Sequence, residues 1–197
     1  MSYADWHREP GYWGDLTRHF PPETRLLDIG CGSAWLADHF SDYTGVERDP
    51  TTVERAVALE RNVIQGDIEV DPLPFDDEAF EGVVLKDVLE HVRDPVAVVR
   101  EARRILARDG RIFASSPDAQ RWVWDDYTHV RPFTLRGYKR LFADQGFVVE
   151  RAGYESVVRG SEHLAAMTRR NRRPRILNVL AHLHVGKRNV WVLARRP

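Results

Sequence analysis

Three acidic side chains sit where strand-like apolar runs end: Asp28 in Leu26–Ile29, Glu47 at the close of Thr44–Glu47, and Asp67 just past Asn62–Gln65 and Gly66. Open parallel sheets bind ligands in the crevice outside the carboxyl ends of their strands, so the three carboxylates are expected to converge there. Beside the first, the run LLDIGCGSAWLA sets a strand against a turn in which Gly30 and Gly32 let a ligand approach the backbone. Glycines alone indicate only a turn, and each acid alone is equally a turn former or a helix cap. Trp35 fills the third fingerprint position, where dinucleotide sites need Gly or Ala, and the turn has no basic residue to meet a phosphate. An anionic crevice repels pyrophosphate. It suits a ligand with an ammonium, a sulfonium, a ribose diol and an adenine amino group. Glu47 would accept from both ribose hydroxyls, Asp67 from the adenine amino group, and Asp28 would meet the ammonium directly or through water.

A sulfonium is already an activated leaving group, so its chemistry needs mainly in-line positioning, with a base only where the acceptor must lose a proton. Asp87, Glu90 and His91 in KDVLEHV stand at i, i+3 and i+4, which share one face if the segment is helical. His129, in WVWDDYTHVRPFTL, is the best single general-base candidate because an imidazole titrates near neutral pH. A structural role is the commoner fate of a lone histidine. Arg131 offers a partner for an anionic acceptor group.

Elements that would hold these residues alternate. After Leu26–Ile29, a helix is expected over Ala34–Phe40, then the strand Thr44–Glu47 and a helix from Pro50 through Leu59, its first position suited to proline. Strand Asn62–Gln65 follows, then Val83–Lys86, and a helix over Pro95–Leu106 with apolar Val98, Val99, Ala102, Ile105 and Leu106. Asp109-Gly110 turns into the strand Arg111–Ser115; Thr134–Gln145 reads as a helix capped by Gly146; Phe147–Arg151 and Asn189–Ala194 are the last strands. Strands alternating with helices predict an α/β fold with helices on both sheet faces.

In combination these segments resemble the class I S-adenosylmethionine-dependent methyltransferases of the small-molecule type, similar to the methyltransferase domain 11 family, over roughly residues 10 to 152. LLDIGCGSAW looks like the first motif, GVERDP like the second, QGDIEVDPLPFDDEAFEGVVLKDVLEHVRDP like the third-to-fourth segment, and RRILARDGRIFASSPD like the helix, turn and fifth strand. The resemblance implies a Rossmann-like seven-stranded sheet, order 3-2-1-4-5-7-6 with the last strand antiparallel. It implies S-adenosyl-L-methionine as cofactor, held by Asp28, Gly30, Cys31, Gly32, Glu47, Arg48, Asp67, Ile68 and Lys86. Tyr12 and Trp13 fall where related enzymes carry an aromatic lid, with Trp13 as a cofactor contact; packing onto the core is the alternative. Ala34 replaces a third glycine of many members. Asp87, His91 and His129 are the catalytic candidates on the residue chemistry given above. The acid–x–x–Glu–His spacing is similar to a divalent-metal site in ubiquinone-pathway and small-RNA methyltransferases, so Asp87, Glu90 and His91 are weak metal candidates and no metal is the leading expectation. DDYTHVRPFT is similar to a segment in surface-polysaccharide and glycolipid methyltransferases, which points to a small-molecule, sugar or lipid-linked acceptor, methylated at oxygen.

With 197 residues and 43% hydrophobic content, a single methyltransferase domain over 1–197 is expected. Its parts are an N-terminal lid (1–22), a core (23–152), a helical insertion (153–188) and a final strand (189–197). Cys31 is the only cysteine, which excludes an internal disulfide and a cysteine-based zinc cluster within one chain. No signal-like or membrane-length apolar run is evident, and a cytoplasmic setting is expected. Net charge is −1, yet from Arg159 onward ten Lys and Arg face only Glu162, leaving about −10 in residues 1–158. That basic segment is read as a solvated face, with peripheral membrane contact as the sharper alternative. Two other function classes stay open: a cofactor-binding scaffold or regulatory subunit without turnover, and a nucleic-acid methyltransferase, disfavoured by the acidic cofactor half.

Overall fold

The computed structural model describes residues 16–157 and 187–197. Apolar residues of the central strands alternate between two buried faces, which is why those strands read as continuous hydrophobic runs. Leu27, Ile29, Val83, Leu85, Ile112 and Ala114 join one cluster with the helix residues Val98, Ala102, Ile105, Tyr138 and Phe142. Leu26, Val84 and Phe113 join the other, with Phe20, Phe40 and Ala56.

The strands are β1 (Arg25–Ile29), β2 (Asp42–Glu47), β3 (Val63–Gln65), β4 (Phe80–Lys86), β5 (Leu106–Pro117), β6 (Val148–Val157) and β7 (Lys187–Arg195); the helices are α1 (Pro50–Ala58), α2 (Pro95–Ile105) and α3 (Leu135–Asp144). The sheet order is β3-β2-β1-β4-β5-β7-β6. β1 pairs in parallel with β2 and β4, β2 with β3 and β4 with β5, whereas β7 runs antiparallel to both β5 and β6. This is the Rossmann-like order expected from the motifs. Each helix starts on a side-chain cap: Asp49 accepts from Thr52 N, Asp94 from Val96 N and Ala97 N, and Thr134 from Gly137 N. Pro50 and Pro95 occupy first-turn positions, where a missing N–H costs nothing. No helix among the described residues is long and apolar enough to cross a membrane.

Four sequence expectations need correction. Ala34–Phe40 forms no α-helix, only a 3₁₀ turn over Trp35–Asp38, because Ala34 takes a left-handed conformation (φ 56°) and β2 follows at Asp42. Asp87–His91 is also not helical: Asp87 has φ 55° and the chain makes a single turn with His91 N donating to Val88 O. β5 begins at Leu106, not Arg111; Leu106 pairs with Phe80 before the register shifts, and Asp109-Gly110 lies inside the strand as an irregularity tied by Asp109 N to Arg196 O. β6 continues to Val157, beyond Arg151. Tyr12, Trp13 and the segment 158–186, which holds most of the basic region and of the expected helical insertion, lie outside the described residues.

Candidate functional site

The carboxyl ends of β1, β2 and β4 lie side by side in the sheet. Gly30 and Gly32 both have positive φ, 71° and 53°. At Gly30 an added Cβ would lie 2.6 Å from Val88 Cγ2, so the position requires glycine for space as well as for conformation. Gly30 N and Cys31 N both donate to Val46 O, pinning the turn to the end of β2. Glu47, 3% exposed, then reaches back into it: Oε2 accepts from Gly32 N at 3.0 Å and Oε1 from Asp49 N at 3.0 Å. A carboxylate held by two backbone amides is fixed in direction before any ligand arrives.

Asp28 is buried below the turn, and Tyr43 Oη donates to its Oδ2 at 3.0 Å. Burial pushes its carboxyl up to about 7; the Tyr43 bond and Lys86 oppose this, while Glu47 adds to it. Cys31 is buried beside both acids, and burial, then Asp28 and Glu47, hold its thiol well above the ordinary range. That environment makes Cys31 an apolar wall and not a nucleophile. Asp67 is half-buried and accepts from Glu69 N at 3.0 Å, while Gly66 N donates to Glu47 O and holds the end of β3 beside β2. Ile68 packs partly buried against the core. Arg48 is exposed, with its carbonyl accepting from Gln65, and its charge reaches His91.

Arg61 was not legible as a site residue. Its guanidinium donates to Ser33 O and to both Asp38 oxygens at 3.1 Å, and lies 4.3 Å over the Trp35 ring. It therefore staples the far side of the glycine turn. No sequence spacing announces a contact 28 residues long that ends on a backbone carbonyl.

On the acceptor side the sequence candidates split into two groups. Asp87 belongs with Lys86, whose Nζ lies 2.8 Å from its Oδ2; Ser115 Oγ donates to Oδ1 at 3.0 Å and Asn189 Nδ2 reaches the same oxygen at 3.4 Å. Burial would raise the Asp87 carboxyl, but Lys86, Ser115 and His91 hold it below the usual range. Burial would lower Lys86; Asp87 outweighs it and keeps the ammonium charged. Asp87 is thus an ionised partner of Lys86.

Glu90, His91 and His129 form the second group, with one potential ligand atom from each lying within 4.8 Å of the others. The imidazole centroids are 4.6 Å apart. The long loop after β5 is brought there by Val130 N and Arg131 N, which donate to Glu90 O. Glu90 is fully buried, and neither carboxyl oxygen receives a hydrogen bond of normal geometry, although Ser116 lies close enough to favour the ionised form. Burial, then Asp87, push its carboxyl well above the ordinary range, and burial, then His129, push His91 below its own. Two imidazoles and one buried carboxyl are a donor set that fits a borderline divalent cation. His129, and not Asp87, is its third member. Arg131 Nη2 donates to Arg93 O at 2.6 Å.

Residues 27–114 match the family described as a methyltransferase domain. An uncharacterized protein of Methanocaldococcus jannaschii is 33% identical over 113 residues, 57% of this chain and 53% of that protein. A ubiquinone biosynthesis O-methyltransferase of Aliivibrio fischeri is 30% identical over 106 residues, 47% of this chain and 43% of that enzyme. The chain spans about half the length of the curated relatives it matches. The solved structure of an S-adenosylmethionine-dependent methyltransferase from Mesorhizobium loti superposes with a TM-score of 0.69 at 18% identity, covering 95% of this chain and 98% of that one.

Proposed function

We propose that this chain, whose fold and residues 27–114 are those of the class I methyltransferases, binds S-adenosylmethionine at the Gly30–Gly32 turn and transfers its methyl group to an oxygen of a small-molecule, sugar or lipid-linked acceptor. Glu47 takes the ribose hydroxyls from the direction its two amide bonds set. Asp28 compensates the ammonium, and Asp67 stands at the adenine end. The observation that carries the choice of oxygen is the pair His91 and His129 beside Glu90. An alcohol or phenol must lose a proton as it is methylated, and an imidazole is a group able to take it. The Aliivibrio fischeri relative's being an O-methyltransferase supports the same reading.

A divalent cation on Glu90, His91 and His129 is a second reading, favoured by the unbonded oxygens of Glu90. When bound, a cation there would supply Lewis-acid lowering of the acceptor hydroxyl's pKa. Equal turnover in chelator and in added magnesium or zinc would eliminate it.

The test is incubation with methyl-labelled S-adenosylmethionine and cell extract, followed by partition into aqueous, lipid and macromolecular fractions. Label in the lipid or small-molecule fraction, released as an O-methyl product and lost in His129→Ala, is the expected result. Absence of S-adenosylhomocysteine binding by titration calorimetry would overturn the cofactor assignment. Binding without label in any fraction would leave a scaffold or regulatory subunit, and label in RNA or DNA would move the acceptor to nucleic acid.

A further inference from the structure

The tautomer of a histidine decides which ring nitrogen can take a proton or bind a cation, and hydrogen bonds to the other nitrogen set it. His129 Nδ1 lies 2.6 Å from Val123 O. A carbonyl only accepts, so Nδ1 carries a proton, while Nε2 lies 3.8 Å from Asp126 Oδ2. For His91 the equivalent contact is ambiguous by itself, because Nδ1 meets the Thr128 hydroxyl at 3.0 Å and a hydroxyl can act either way.

The next bond resolves it. Thr128 Oγ1 donates to Asp126 Oδ1 at 2.7 Å, and Thr128 N donates to the same oxygen at 2.9 Å. Burial would raise the Asp126 carboxyl, but these two bonds, and then His129 and His91, hold it below the usual range, so it is an ionised acceptor. The Thr128 hydroxyl has one proton and has given it to Asp126. It can therefore only accept from His91 Nδ1. The other charged groups facing His91 are His129 and Arg48, and neither bonds to Nδ1.

We propose that Asp126 and Thr128 are positioning residues, which hold His91 as its Nδ1–H tautomer so that its Nε2 is the nitrogen left to act in the group with Glu90 and His129. The loop after β5 thereby sets the chemistry of a side chain that the turn after β4 supplies. Only the turnover arm of the test depends on the methyl-transfer reading above; the tautomer arm does not.

The experiment is long-range ¹H–¹⁵N correlation of the histidine rings at neutral pH in uniformly labelled protein, with His91 assigned by loss of its signals in His91→Asn. Wild type should show His91 protonated at Nδ1. Asp126→Ala leaves Thr128 in place but frees its hydroxyl to donate, so His91 should switch to Nε2–H. Thr128→Val should lose the Nδ1–H preference, and Thr128→Ser should restore it. Where a methylated acceptor is known, kcat should fall on the order of 10-fold in Thr128→Val, with the KM for S-adenosylmethionine unchanged, and recover in Thr128→Ser, as is usual for groups that orient a functional histidine. A wild-type His91 protonated at Nε2, or an unchanged tautomer in both Asp126→Ala and Thr128→Val, overturns the relay. A tautomer that switches as expected in a protein that methylates nothing upholds the relay and removes the catalytic reading instead.

Discussion

Replacing Asp28 with Asn should uncouple cofactor binding from pH. The wild-type carboxyl has a pKa of about 7 because burial disfavours its charge more than Tyr43 and Lys86 favour it. A ligand ammonium beside it would favour the charged form, so below pH 7 binding must expel a proton. If the bound-state pKa falls to the ordinary carboxylate range, apparent affinity weakens about 2-fold at pH 7 and about 100-fold at pH 5 relative to the fully ionised limit. Titration calorimetry of S-adenosylhomocysteine in buffers of different ionisation enthalpy counts the protons directly, about half of one at pH 7 and nearly one at pH 5. Asp28→Asn should release none and show a flat profile. The free protein should respond in the opposite sense. The raised folded pKa stabilises the fold fully below the unfolded value of 3.8, and that contribution is lost as pH rises through about 7. The span is about 4 kcal/mol. Asp28→Asn should therefore melt higher than wild type at pH 8 while binding the cofactor more weakly. A wild-type affinity unchanged between pH 5 and 7, or equal proton release in the variant, would refute the assignment of Asp28 to the ammonium.

Gly30→Ala should destabilise through the left-handed backbone by about 1–2 kcal/mol and through contact with Val88; in chemical denaturation Gly30→Ala/Val88→Ala should recover only the contact part. Ala34→Gly runs against the usual penalty for a buried alanine, since φ is 56° there: relief of about 1 kcal/mol of strain should leave the melting temperature level or raised. Arg61→Lys keeps the charge but loses the planar fork across Asp38 and the stacking on Trp35, so S-adenosylhomocysteine should bind more weakly, by about 3- to 10-fold for roughly 1 kcal/mol of lost turn order, while a parallel loss from Trp35→Ala would tie the effect to the ring.

The parallel half of the sheet was readable because strands buried on both faces carry clustered apolar residues, most plainly Leu26, Leu27 and Ile29 in β1 and Val83, Val84 and Leu85 in β4. The ends of β1, β2 and β3 were readable too, since Asp28, Glu47 and Asp67 are acids at or just past them. The helix expected at Ala34 failed because a single left-handed residue is invisible in an apolar pattern. The same applies to Asp87, whose φ of 55° converts an i, i+3, i+4 spacing into one turn and sends its carboxylate to Lys86. His129 was singled out for its chemistry alone; its meeting with His91 depends on Val130 N finding Glu90 O across 40 residues. Arg61, Thr128 and Val123 act through backbone carbonyls or a hydroxyl proton, which leave no periodic trace.

β7 lies between β5 and β6, although it follows both in the chain. During synthesis β6 emerges with no strand to pair, and the inner edge of β5 stays open until residues 187–195 leave the ribosome. An open edge is a template for another chain. Nascent molecules stalled before Lys187 should therefore be the aggregation-prone species, and chaperone demand should drop sharply once residues 187–195 have emerged.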